Sequence, residues 1–201
     1  MPPARIVSLA EVPVAVIRRF DRDREDGRIP YQSATSLLQV SREEDRSYTE
    51  IADAIRTYGC SPTQDLHQLW RRLVFNLLIT NVDDHLQNRG FLHVEHGLWC
   101  FAPTFDISPL PDKERESKTW LSEEDGPITD VNMLLARAAC FALDREQALN
   151  VLTEVHAAVR NWRQTAIGVG VGLRAHDLDL DDFAEAFEHE QINATAALLE
   201  R

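Results

Sequence analysis

Residues 65–92 read DLHQLWRRLVFNLLITNVDDHLQNRGFL. The first half is a helix by its spacing. Leu66, Leu69, Leu73 and Leu77 recur at three- and four-residue intervals, and Trp70, Val74 and Leu78 widen the stripe. Asp65 is placed to cap the first turn, and an apolar face this wide belongs at the centre of a core. Immediately after it stand Asn81, Asp83, Asp84, His85, Gln87 and Asn88, and then a strand-like FLHV. A polar cluster straight after a core helix has two readings. In one, Asp83 and Asp84 cap the next turn and Asn88 takes left-handed backbone before the strand. In the other, carboxylates and an amide are held at fixed spacing for chemistry.

The pattern outward from this stretch is mainly helical. Upstream, VPVAVIRRF (12–20) is β-branched and reads as one strand. DRDREDGRIP (21–30) reads as a hairpin or loop, and YQSATSLLQVS as a short helix. SYTEIADAIRTYG (47–59) carries a capping box in Ser47 and Glu50, with Gly59 to end the helix. Downstream, FLHV and LWCFAP form a small hairpin around EHG. Residues 107–129 read as a long loop. Helices follow near 130–141, 144–164 and 179–199, with the glycine-rich connector IGVGVGLR (167–174) between the last two. The expected fold is mainly α with a small β-hairpin. The strand at 12–20 needs a partner, either that hairpin or something outside the chain.

Composition narrows the class of function. With 201 residues, 44 % hydrophobic and 27 % charged, the chain can bury a full core. No apolar run is long enough to cross a membrane, and the N-terminus lacks a secretory signal pattern. A net charge of −12 repels phosphates, which argues against direct nucleic-acid binding. Cys60, Cys100 and Cys140 are odd in number and far apart, which argues against a disulfide framework and for a reducing, cytoplasmic setting.

Asp83 and Asn88 are five residues apart, the interval between base and metal-binding amide in the protein-kinase loop H-R-D-L-x-x-x-N. The chemistry accounts for the interval. A carboxylate accepts the proton of a substrate hydroxyl, and an amide oxygen nearby ligates Mg²⁺ without adding a charge beside the base. A second carboxylate then bridges the metal to phosphate. The candidate is Asp106, in APTFDISP, because two strands let the chain double back. Spacing alone leaves both readings open.

A wider set of blocks carries a resemblance. VIRRFDR (16–22), DRSYTEIADAI (45–55), the stretch 65–92 and FAPTFDISP (101–109) stand in the order found in HipA-type kinases. The chain resembles the C-terminal part of that family, the toxin components of bacterial toxin–antitoxin pairs. The resemblance implies a protein-kinase-like C-lobe that transfers the γ-phosphoryl group of ATP to a protein hydroxyl. It implies Asp83 as the base, Asn88 and Asp106 as Mg²⁺ ligands, and Phe20 beside the adenine in a hinge formed by RRFDR. Arg18 stands where most members are acidic. The family's phosphate-covering loop and ATP-binding lysine precede the hinge, yet the residues before Arg19 contain neither lysine nor glycine. The expectation is therefore a hinge strand over 1–20, left from an absent N-lobe, joined to a C-lobe over 21–201. Such a chain would be inactive or slow alone, with an antitoxin or a separately encoded N-lobe as partner. The alternative is a non-catalytic module that binds one of these. The exposed first strand is a further candidate for self-association.

Other residues read more simply. His85 braces the loop or sits exposed in it, and His93 and His96 flank a turn. Trp70, Trp99 and Trp162 are packing residues, while Trp120, in a charged loop, has the option of a partner. DLDLDDF (177–183) lacks the glycine and distal glutamate of a calcium loop. GVGVG lacks the strand–turn–helix setting of a dinucleotide site.

Overall fold

The computed structural model describes residues 2–10, 12–23, 27–41, 44–111, 116–170 and 179–200. Two short elements, α1 (Ala34–Leu38) and α2 (Tyr48–Tyr58), lead to the central α3 (Pro62–Leu78). Leu69, Trp70, Leu73, Val74 and Leu78 of α3 are completely buried. Each such side chain contributes roughly 1.5–3 kcal/mol by leaving water. The helix begins earlier than the stripe suggested. Ser61 precedes it and Pro62 fills its first turn, where a missing N–H costs nothing. Asp65 is thus not its cap. It is buried in the first turn, and its Oδ2 accepts the Phe101 N–H at 3.2 Å.

α2 is fixed locally. Ser47 accepts from the Glu50 N–H, and Glu50 Oε2 accepts from the Ser47 N–H at 2.8 Å. After α3 come α4 (Val131–Ala136), α5 (Arg145–Arg160), α6 (Trp162–Gly168), α7 (Ala184–Phe187) and α8 (Glu190–Leu199). α2, α4, α5 and α8 all pack on α3. The three helices expected here are each interrupted. α4 gives way to a 3-10 turn at Ala138–Phe141, and α5 ends at Arg160 before α6 starts. The span 179–199 breaks where His189 leaves the helix to cap α8, its Nε2 lying 3.2 Å from the Leu78 carbonyl.

Among the described residues the strands form three small antiparallel sheets. The strand at 12–20 shortens to β2 (Val12–Ile17) and pairs with β1 (Ala4–Leu9), from Ala4 opposite Ile17 to Leu9 opposite Val12. Its partner therefore lies just upstream, and this hairpin does not join the second sheet. That sheet has the order β3 (Tyr31–Ser33), β4 (Gly90–His93), β5 (Trp99–Phe101). Within the stretch expected to be loop, β6 (Trp120–Ser122) and β7 (Gly126–Pro127) make a third. Trp120 there is half-buried, and its N–H donates to the Arg46 carbonyl at 2.9 Å.

The cysteine reading is corrected. Cys60 and Cys100 form a disulfide with Cα atoms 5.3 Å apart, leaving Cys140 free. Main-chain pairing brings them together, since the Cys60 N–H donates to the Trp99 carbonyl at 3.0 Å. Lys113 and the connector and acidic-cluster residues 171–178 lie outside the described residues. Among those described, no helix is long and apolar enough to cross a membrane.

Candidate functional site

The site grows from the end of α3. The Asn81 N–H donates to the Asn76 carbonyl at 2.9 Å and the Thr80 N–H to the Leu77 carbonyl at 3.4 Å. This is a Schellman closure, and its left-handed position is occupied by Thr80 at φ 54°. A β-branched residue there is strained by roughly 1–2 kcal/mol. It is held by its hydroxyl, which donates to the Ala186 carbonyl at 3.1 Å, and by the Leu110 N–H on its own carbonyl at 3.2 Å. The helix is thereby stopped, and the chain turns into residues 81–88.

Asp84 anchors that loop from below. It is 1 % exposed, accepts a hydrogen bond from the Tyr48 hydroxyl, and lies 3.4 Å from Asn76 Nδ2. Arg89, equally buried, reaches the Tyr48 oxygen at 3.1 Å and stands 3.9 Å from Asp84. Burial pushes the Asp84 carboxyl above its ordinary value, against the pull of Arg89. Burial also raises the Tyr48 phenol, so it keeps its proton and remains the donor. Asp84 Oδ1 and Arg89 Nε have no hydrogen-bond partner. The turn-capping reading of Asp84 therefore fails, and Asn88 is not left-handed.

Anchoring Asp84 turns its neighbour outward. Asp83 is half-exposed, and its carbonyl accepts from Asn88 Nδ2 at 3.3 Å. That bond closes the loop and engages the amide nitrogen of Asn88, a residue only 6 % exposed, so Oδ1 is the amide atom that could serve a cation. Asp106 follows β5. Two hydrogen bonds bracket it against the loop: Ala102 N–H to the Gly90 carbonyl at 2.8 Å, and Ser108 N–H to Asn81 Oδ1 at 3.2 Å. Its backbone is left-handed, φ 52°, and its carboxylate is exposed. An amide oxygen and a carboxylate suit Mg²⁺, which keeps several waters and takes phosphate oxygens besides. Among the described residues there is no cluster of three or more His, Cys, Asp or Glu side chains.

Phe20 joins the site through aromatic contacts. Its ring lies 5.7 Å from Phe105 and 6.3 Å from Tyr31. These three residues, with Ile17, line an open cleft of about 410 Å³ beside Asp106 in sequence. Tyr31 packs across Gly90, where an added Cβ would meet its ring at 2.2 Å. Any larger residue at 90 would push Tyr31 out of the cleft. Arg19 and Asp21 fork onto each other at 2.5 and 2.8 Å, and the Arg19 hydrogen bond is first among the causes that hold Asp21 down to about 2. Arg72 braces the other side of the sheet, its guanidinium 3.9 Å above the Phe101 ring and donating to the Ala102 carbonyl at 2.7 Å. Burial, then the charge of Arg89, pulls Arg72 down to about 9, and it remains charged at neutral pH.

Three of the four residues singled out from sequence, Asp83, Asn88 and Asp106, thus sit on one continuous loop-and-strand unit, and Phe20 reaches it through Phe105. Sequence reasoning missed Tyr48, Asp84, Arg89, Tyr31 and Lys118. Of these only Asp84, inside the quoted cluster, carried a signal. His85 lies 4.0 Å from Asp83, with its Nδ1 buried and unpartnered.

The fold is similar to that of the HipA chain in a Shewanella oneidensis complex of HipA, HipB and operator DNA. That likeness has TM-score 0.68 and 19 % identity, covering 99 % of this chain and 50 % of the other. It is also similar to the Helicobacter pylori proinflammatory kinase CtkA, with TM-score 0.59 and 14 % identity over 98 % of this chain and 74 % of that one. A Haemophilus influenzae protein named "Putative kinase" is 28 % identical over 109 residues, 48 % of this chain and 32 % of the relative. The chain spans about a third of that relative's length and half of the HipA chain. Residues 1–162 match the HipA-like C-terminal domain, and the chain belongs to that family.

Proposed function

We propose that the chain is the catalytic lobe of a HipA-like protein serine/threonine kinase, transferring the ATP γ-phosphoryl group to a protein hydroxyl. The observation that carries this reading is the single turn on which Asp83 faces outward while Asn88 is tied back to it, with Asp106 bracketed alongside. Asp83 would take the hydroxyl proton. Asn88 and Asp106 would hold Mg²⁺, which when bound neutralises charge on the phosphates. Phe20, Tyr31 and Phe105 would receive the adenine. In the sequence given, no lysine or glycine precedes Arg19. On this reading a phosphate-covering part would be supplied by residues outside these 201, in a longer protein or a second chain, and the lobe alone would turn over slowly.

Radiolabel transfer from γ-labelled MgATP at millimolar concentration tests the reading. Label should reach protein hydroxyls slowly and depend on Asp83, and transfer undiminished in Asp83→Asn would overturn it. A second reading is favoured by the hairpin exposed on both faces: a non-catalytic module that binds an antitoxin or a separately encoded N-lobe. The HipA of the structural comparison is itself in complex with HipB. An upstream reading frame encoding a glycine loop and lysine would favour the kinase.

A further inference from the structure

Residues 117–120 are laced to the loop and to the start of α2. The Lys118 N–H donates to the Val82 carbonyl at 3.2 Å, the Thr119 hydroxyl to the Asp84 carbonyl at 2.9 Å, and the Trp120 N–H to the Arg46 carbonyl at 2.9 Å. Ser117 closes the segment, its Oγ accepting from the Ile128 N–H at 2.8 Å. The backbone of Lys118 is therefore fixed beside Asp83, and its Nζ lies 2.5 Å from Asp83 Oδ1. Both side chains remain substantially exposed, 61 % and 46 %. An exposed ion pair contributes at most about 1 kcal/mol, so stability does not explain a segment built to deliver this lysine. Lys118 also edges a polar cleft of about 220 Å³ lined by Thr35, Glu44, Asp45, Arg46, His85 and Gln87.

We propose that Lys118 is a catalytic residue whose ammonium group bridges Asp83 and the transferred phosphoryl group. The assignment rests on the kinase reading above. A carboxylate base beside a phosphoryl group brings two negative charges together, and transfer spreads charge over three equatorial oxygens. An ammonium has three donors, so Lys118 can keep one on Asp83 and turn the others to those oxygens. In the step, the acceptor oxygen bonds to the γ-phosphorus. The bond from that phosphorus to the bridging oxygen breaks, with its electron pair leaving on ADP. The hydroxyl proton passes to Asp83, and Lys118 keeps all its protons.

The test measures label transfer from γ-labelled MgATP to the chain's own hydroxyls and to water, for wild type, Lys118→Met, Lys118→Arg and Asp83→Asn. Lys118→Met should lose about 100-fold in kcat, as when one donor to a developing charge is removed. The KM for MgATP should stay within about twofold, because the effect falls on the transition state. Lys118→Arg should recover at least about tenfold of that loss, since it restores the positive charge. Asp83-dependent transfer that is unchanged in Lys118→Met overturns the Lys118 assignment alone, as does a loss confined to KM. No Asp83-dependent transfer in the wild type overturns the kinase reading and the assignment with it.

Discussion

At the scale of single residues, two adjacent aspartates have opposite environments. Asp83 is half-exposed, so Asp83→Asn should leave stability within about 0.5 kcal/mol. On the proposed reading, within a complete kinase it should cut transfer by about 10²–10⁴-fold with MgATP affinity retained, because Asp83 acting as base would not be a phosphate ligand. Asp106→Asn should weaken MgATP affinity as well, and nucleotide titration beside rate measurement separates the two. Asp84 is different. Burial raises its carboxyl above the ordinary 3.8, so the folded chain holds that proton more tightly than the unfolded chain. Its contribution to stability is whole below about pH 3.8 and is lost as pH rises through the raised value. Asp84→Asn stays neutral throughout. Urea melts across pH should therefore show wild type losing ground to the variant as pH climbs from about 4. A difference flat with pH would mean that Asp84 titrates alike in both states. Asp84→Ala should cost roughly 3 kcal/mol, since it strands the Arg89 guanidinium and the Tyr48 hydroxyl in the core.

At the scale of elements, the Cys60–Cys100 bridge fastens the end of α2 to β5, and a sequence separation of 40 encloses α3 and the whole candidate loop. Closing a loop of that length removes unfolded-state freedom worth about 4 kcal/mol in the chain-entropy account. Denaturant melts with and without reductant should differ by about 2–4 kcal/mol, and Cys60→Ser should match the reduced wild type. Three titratable thiols in the oxidised, unfolded chain would show that the bridge does not form. The bridge also marks what sequence could not reveal. α2 was legible because its capping box closes within four residues, and α3 because its stripe repeats. The break between α7 and α8 was not, since it depends on His189 reaching Leu78 across 111 residues. Likewise the spacing of Asp83 and Asn88 is local and readable, whereas Lys118 meets Asp83 across 35 residues through a small sheet that the loop composition concealed.

At the scale of the whole molecule, the hairpin β1–β2 stands apart from the core that α3 organises. Every residue of β2 is exposed, and all of β1 except Val7. Two strands with both faces wet are marginal in water and need a third partner to be stable. On the proposed kinase reading Phe20, Asn88 and Asp106 would supply only part of an adenine wall and the Mg²⁺ side of the site, so calorimetry on these 201 residues should find MgATP affinity no tighter than about 1 mM, roughly −4 kcal/mol. Micromolar binding by the isolated monomer would contradict that. The pairing register puts Val7, Leu9, Val12, Val14 and Val16 on one face of the hairpin. Apart from Arg5 at its end this face is apolar, and among the described residues no third strand pairs with the hairpin, a combination that promotes association. In a purified preparation the available partner is a second copy, whose identical edge can add strands to the sheet. Light scattering should therefore find a mass that rises with concentration. Val14→Lys should suppress the rise, because its ammonium would be buried against the second copy. This position is preferable to Val16, which faces Arg5, where a second cation would weaken the hairpin itself. A strict monomer at high concentration, unaltered by Val14→Lys, would show that this face is not an interface between copies of the chain.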